Sequence, residues 1–277
     1  MEKRKTKTIF SLVLTIIFLT ACSPAATEAP PPSVIPATEE PQVTATEPPV
    51  ASEGGGMPVT GEGLCANAYY PVRQGATWDY KSTGGPAGDY SYTDTLTSVR
   101  GDGFTLTSQF DNDLTRTQEW ACEPEGLVAL QLGGAAAASL NMGDMQLDLT
   151  ANNVSGATFP NEINAGDEWQ HTLEFGGELN LAGTAAEATG SAQSNFSALG
   201  EESVTVPAGT FDAMKVQVDS TIDISASFQG VEVPVTFSGR YTYWFVQGVG
   251  WVKAGGAGEF AGTSFTETTE LQSYTIP

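Results

Sequence analysis

From about residue 64 onward, apolar residues recur at every second position rather than every third or fourth, the period of a strand and not of a helix. Met145-Gln-Leu-Asp-Leu149, Val204-Thr-Val206, Met214-Lys-Val-Gln-Val218, Ile222-Asp-Ile224 and Val231-Glu-Val233 all alternate. Tyr90 to Thr97 and Phe104 to Phe110 are Thr/Ser-rich runs with their apolar residues on one side. Turn chemistry bounds the runs at Gly101-Asp-Gly103, Gly176-Gly177, Pro207-Ala-Gly209 and Gly255-Gly256, where glycine supplies positive φ and proline presets the turn. Alternation means one buried and one wet face, which antiparallel strands allow. Only Ala135 to Leu140 could carry a helical turn. The pattern therefore predicts an all-β fold, a large curved antiparallel sheet or half-open barrel.

A second pattern is longer. Tyr70-Pro71 precedes Gly75-Ala-Thr-Trp78, and Phe159-Pro160 precedes Gly166-Asp-Glu-Trp169. Further on, Trp120 stands six residues before Gly126 and eight before Val128, as Trp244 stands before Gly250 and Val252. The order aromatic-Pro, Gly-x-x-Trp, Trp-x5-Gly-x-Val thus occurs twice. It predicts two related β-meanders, roughly 65–135 and 155–275, packed into one fold.

Residues before this part read differently. Lys3, Arg4, Lys5 and Lys7 precede an apolar run that ends in Leu19-Thr20-Ala21-Cys22. The run is too short for the ~20 residues of a membrane-spanning helix, and with its basic start it reads as a secretory signal, residues 1–21. Its last four residues resemble the lipobox of bacterial lipoproteins. That resemblance implies cleavage before Cys22 and acyl chains on Cys22, so that the partner is membrane lipid. The expected location is the extracytoplasmic face of the cell membrane or outer membrane. Residues 22–63 carry the lipidated cysteine and a tether with nine prolines after it, no aromatic residue, and Gly54 to Gly56 in a row. Such a stretch cannot bury enough apolar surface to offset its ordering entropy. All five tryptophans and all eight tyrosines lie beyond residue 63, so the folded domain is expected at 64–277.

Charge narrows the possible partners. Removing residues 1–21 takes four of 11 basic residues and one of 33 acidic ones, leaving 7 and 32, a net charge of −25. A surface this acidic, without a basic cluster, is repelled by phosphate backbones, so no nucleic-acid partner is expected. With Cys22 committed, Cys65 and Cys122 remain, in a compartment that permits disulfides, and are expected to pair. A closed loop of that length is worth ~4 kcal/mol in the chain-entropy account.

The segment Val204-Thr-Val-Pro-Ala-Gly-Thr-Phe-Asp-Ala-Met-Lys-Val216, followed by Tyr243-Trp-Phe-Val-Gln-Gly-Val-Gly-Trp-Val252 and Glu270-Leu-Gln-Ser-Tyr274, resembles the TapB-like families of bacterial envelope proteins. The resemblance covers about the last 75 residues well and the Trp78 region loosely. It implies an antiparallel β fold similar to the half-barrels of lipoprotein-carrier proteins, and it supplies no catalytic residues.

Candidate chemistry is sparse. Nucleophilic catalysis of the Ser/His/Asp or Cys/His kind needs an imidazole beside the nucleophile, and the one histidine, His171, reads as a surface or rim residue on a strand. No Gly-x-Ser-x-Gly elbow, phosphate-binding loop or dinucleotide motif is present, and no cofactor is implied. Asp111-Asn112-Asp113 offers hard oxygens but lacks the glycine and terminal glutamate of an EF-hand loop, and reads as a turn. No metal ligands and no catalytic residues are expected. Trp244, Phe245 and Trp251 read first as core packing and only second as a ligand platform. The leading expectation is a non-catalytic binding or interaction module, for an apolar ligand or an envelope protein partner. An envelope hydrolase with paired carboxylates and a structural or adhesive surface protein are the alternatives. An open apolar cavity of ~300 Å³ or more would separate a carrier from a filled scaffold.

Overall fold

The structure, a computed structural model, describes residues 61–86, 88–132, 145–181, 184–228 and 230–277. The signal segment, Cys22, nearly all of the tether and the turn expected at 135–140 lie outside the described residues. Among those described, the only helical element is a 3-10 turn at Gly63–Cys65. The strands are β1 (Thr77–Gly84), β2 (Tyr90–Arg100), β3 (Gly103–Phe110), β4 (Thr115–Glu123), β5 (Gly126–Ala129), β6 (Met145–Ser155), β7 (Phe159–Pro160), β8 (Glu168–Leu181), β9 (Thr184–Val206), β10 (Gly209–Phe228), β11 (Val231–Val246), β12 (Gly250–Phe260) and β13 (Thr263–Thr275).

All thirteen form one sheet in the order β6-β8-β9-β10-β11-β12-β13-β1-β2-β3-β4-β5-β7, and every ladder is antiparallel. Connectivity forces this sheet to curl. β6 and β7 are opposite edges, yet β6 ends at Ser155 and β7 begins at Phe159. Four Cα steps reach roughly 14 Å at most. A flat sheet of this strand count, at about 4.8 Å per strand, would hold its edges roughly 58 Å apart. The result is a half-barrel, its two edges brought together by residues 156–158 without a ladder between them.

The internal repeat has a structural counterpart. β1–β5 and β8–β12 are each five-stranded meanders, and β13 lies between them. Gly75 and Gly166 both adopt positive φ, 84° and 93°, just before β1 and β8. Gly75 N–H donates to Leu96 O and Leu96 N–H to Ala76 O, as Gly166 N–H donates to Ala198 O and Ala198 N–H to Asp167 O. Directly after Leu96 and Ala198 each register slips by one residue, at Thr97 and Leu199. Trp120 and Trp244 sit in the fourth strand of each block, and Gly126 and Gly250 open the fifth.

A plug closes one end of the half-barrel. Tyr69, Tyr70, Val72 and Ala76, from the segment before β1, are buried. The Tyr70 ring packs 5.5 Å from Phe104, 5.5 Å from Trp120 and 5.3 Å from Phe159. The Cys65–Cys122 disulfide, Cα atoms 5.0 Å apart, ties the plug to β4. Asn67 fixes its path: Oδ1 accepts from Tyr69 and Tyr70 N–H, both at 3.0 Å, and Nδ2 donates to Pro160 O at 2.9 Å. A second buried cluster, with Leu173, Phe175, Ile222, Ile224 and Phe237, lines the inner face of the longer strands.

Two expected turns are corrected. Gly176-Gly177 lies inside β8, and Gly255-Gly256 inside β12. At Gly256 glycine makes room for a ring, whereas a Cβ on Gly176 or Gly255 would meet none. A Cβ on Gly256 would stand 2.8 Å from Tyr241 Cδ1, and one on Gly190 would stand 2.6 Å from Phe175 Cε2. A strand glycine often marks such a close approach. The Pro207-Ala-Gly209 hairpin forms as expected, with Val206 paired to Gly209. Val231 and Val233 alternate in a strand but stay 64% and 40% exposed, because they sit at the start of β11 beside the hairpin tip at Gly230.

Candidate functional site

The hollow of the half-barrel holds a cavity of about 250 Å³, walled by side chains from β2–β5 and β7–β13 and floored by Tyr70. Its wall is mainly aromatic and aliphatic. Trp251 stacks on Tyr80 at 4.0 Å with ring planes 6° apart, and Tyr92 stacks on Phe110 at 5.2 Å. Trp244 faces the other way, its indole N–H on Glu202 and Lys215 over its ring.

Polar side chains interrupt this wall in cross-strand rows. Asp94, Ser108 and Arg116 are register partners on β2, β3 and β4. Ser108 Oγ–H donates to Asp94 Oδ1 at 2.5 Å, and Arg116 donates to Leu132 O. Burial pushes Asp94 up to about 6, opposed by Ser108 and by the Arg116 charge. Burial likewise lowers Arg116. A second row is His171, Ser194 and Ser220 on β8, β9 and β10, with the two serine hydroxyls 2.9 Å apart.

The third group surrounds Glu267 on β13, which is 4% exposed. Ser82 Oγ–H and Tyr90 O–H both donate to Glu267 Oε1, at 2.7 and 2.8 Å, and Thr269 Oγ1–H donates to Ser82 Oγ at 3.0 Å. Tyr241 lies in the same row as Glu267, separated by Gly256. Burial raises Tyr90 and Tyr241 above the ordinary phenol range, and raises Tyr243 to about 12.

Four buried polar atoms among the described residues have no partner: Trp120 Nε1, His171 Nε2, Tyr241 Oη and Glu267 Oε2. All four side chains line this one cavity. A buried donor or acceptor left unmade costs ~1–3 kcal/mol, and here four such atoms gather around one hollow.

His171 corrects the expectation of a surface or rim residue: it is 8% exposed and faces the hollow. Burial holds it below its ordinary pKa, with a backbone bond to Ala129 working weakly the other way. The disulfide cysteines lie in the plug region and do not line the cavity. Asp111-Asn112-Asp113 forms the β3–β4 turn, in which Asp111 accepts from Ser91 N–H and Asn112 from Leu114 N–H. No cluster of three His, Cys, Asp or Glu suited to a metal occurs among the described residues.

A DUF3108-like family profile matches residues 116–274, more than half of the chain. The chain belongs to the DUF3108-like family. The matched span holds β4–β13 and most of the cavity wall. Comparison with curated proteins finds no match. Among solved structures, an exported-protein candidate of YmcC-like fold from Bacteroides fragilis is 15% identical with TM-score 0.45, covering 76% of this chain and 100% of its own. A lipoprotein candidate from Parabacteroides distasonis is 15% identical with TM-score 0.44, over 76% and 99%. The hypothetical lipoprotein YmcC of Escherichia coli is 12% identical with TM-score 0.32, over 73% and 85%. Similarity at that level transfers no function to this DUF3108-like chain.

Proposed function

We propose that this DUF3108-like protein is a lipid-anchored, extracytoplasmic, non-catalytic binding module that receives a small ligand with an apolar body in the hollow of its half-barrel. Cys22 is the anchor in this reading, and 22–63 the leash. The observation that carries the binding role is the coincidence of one aromatic-walled cavity with four unpartnered polar atoms. Its volume of about 250 Å³ falls short of the ~300 Å³ expected of a carrier cavity, so the ligand in this reading is small. The well-matched part of the TapB-like resemblance, residues 204–274, falls inside the span of the family match and supports a cell-envelope setting.

Register weighs against the hydrolase alternative. Asp94 pairs with Trp78 and Glu267 with Gly84 on β1, six residues apart, or roughly 20 Å along the strand. Glycosidase carboxylates stand about 5–10 Å apart. Native mass spectrometry of protein purified from cell envelopes tests the binding reading. A non-covalent adduct that is released on unfolding is expected. No adduct, together with no uptake of small apolar probes, would leave a filled scaffold. Mass analysis of the mature N-terminus tests the anchor, and an unmodified Cys22 would remove it.

A further inference from the structure

Two of the four unpartnered atoms, Tyr241 Oη and Glu267 Oε2, belong to residues of a single cross-strand row, two strands apart with Gly256 between them, and both side chains line the cavity. Gly256 carries no side chain into this row, and the Tyr241 ring lies over it, since a Cβ there would stand 2.8 Å from Tyr241 Cδ1. Glu267 already has Oε1 saturated by two hydroxyls, and Oε2 is bare. No Lys, Arg or His stands within ion-pairing distance of it among the described residues. An isolated buried carboxylate is among the costliest groups to hold inside a protein. The phenols of Tyr90, Tyr241 and Tyr243 are all close enough to feel its charge.

We infer that this end of the cavity is a receptor for the ammonium group of an alkylamine-type ligand, whose tail lies against the aromatic wall. The inference rests on the binding role proposed above and names the head group. An ammonium donates to Glu267 Oε2 and to Tyr241 Oη, supplies the missing counter-charge, and is attracted by electron-rich rings. A metal ion fits poorly, because a single carboxylate is too few hard ligands. An anionic head at Arg116 fits poorly as well. Arg116 shares its row with Asp94, and the chain's net charge of −22 repels anions while drawing cations in. At the ~30 Å³ that one water occupies in the liquid, a cavity of about 250 Å³ has room for roughly eight units of that size, head group included, which is close to an octylammonium.

The test is calorimetric titration of the full folded chain with octylammonium, octanol and octanoate at one ionic strength. Octylammonium is expected to bind at least tenfold more tightly than octanol, and octanoate weakest. Glu267→Gln should erase the octylammonium preference while leaving octanol within threefold, and Tyr241→Phe should reduce the preference by a smaller factor. If Glu267→Gln fails to fold, Tyr241→Phe carries the test alone. Equal binding of all three probes, or an octylammonium preference that survives these substitutions, would overturn the head-group assignment and leave the binding role standing. Binding of none of them would overturn both.

Discussion

The two meanders follow one plan with different material. In β1–β5 the strands run 4 to 11 residues, and their inner face is closed by the plug, the disulfide and an aromatic stack around Tyr70. In β8–β12 they run 11 to 23 residues, and the inner face is finished by rings laid over strand glycines. Short strands offer few ladder bonds and little area, so that half is held by a covalent tie and a plug. Long strands supply area but must curl, and glycine opposite a large ring permits the close approach that curling needs. The cavity lies where the two solutions meet, which is why its polar atoms come from both halves.

The largest test of this contrast is removal of the tie. Cys65→Ser with Cys122→Ser is expected to cost ~4 kcal/mol by loop closure, read as a shift in urea denaturation. Hydrogen exchange should show protection lost first in β1–β5. Loss beginning in β8–β12 would mean that the plug does not hold the short half.

The second test concerns the buried charge in the short half. Asp94 is held at about 6 against an ordinary 3.8, so the folded state binds its proton more tightly than the unfolded chain does. Its contribution is therefore most favourable below about pH 4, falls as pH rises toward 6, and is least favourable above that. The full swing is about 3 kcal/mol. Asp94→Asn should remove this component. The stability difference between wild type and variant, from urea midpoints at pH 4, 5, 6 and 7, should change steadily across the window and level off at pH 7. Arg116 loses its row partner in the variant, which lowers the offset but not the slope. A pH-independent difference would show that Asp94 is not held in its neutral form.

Much of the fold was legible because period two survives nearly everywhere, and because Gly75–Trp78 and Gly166–Trp169 mark where each meander begins. The strand glycines misled, since Gly176-Gly177 and Gly255-Gly256 look the same in sequence whether they turn a chain or run through a strand. What decides between them is the cross-strand partner, which sequence does not name. The site leaves a signal in the sequence. Asp94 is in phase with Tyr90, Tyr92 and Leu96, His171 with Trp169 and Leu173, and Glu267 with Phe265 and Leu271. A charged or ionisable residue in the apolar phase of a strand points inward, into the hollow. That signal could not show that Glu267 and Tyr241 share a row, because this depends on the β11–β12–β13 register.

The smallest test separates the two kinds of strand glycine in the long half. A Cβ on Gly190 would stand 2.3 Å from Asp223 O and 2.6 Å from Phe175, neither of which can yield without moving a ladder or a buried ring. Gly190→Ala is therefore expected to destabilise by about 1–3 kcal/mol, the usual cost of overpacking. On the neighbouring strand, a Cβ on Gly176 meets the Asn152 side-chain nitrogen at 3.1 Å, the far end of a flexible group, and otherwise only ordinary contacts at 3.8 Å, and its φ is not positive. Gly176→Ala should be neutral or stabilise by up to ~1 kcal/mol, through the reduced freedom of the unfolded chain. Opposite signs in thermal melting would show that the long half is shaped by particular ring-over-glycine contacts. Equal costs at both sites would mean that glycine serves the whole wall as a general softener, and that the curl does not depend on Phe175.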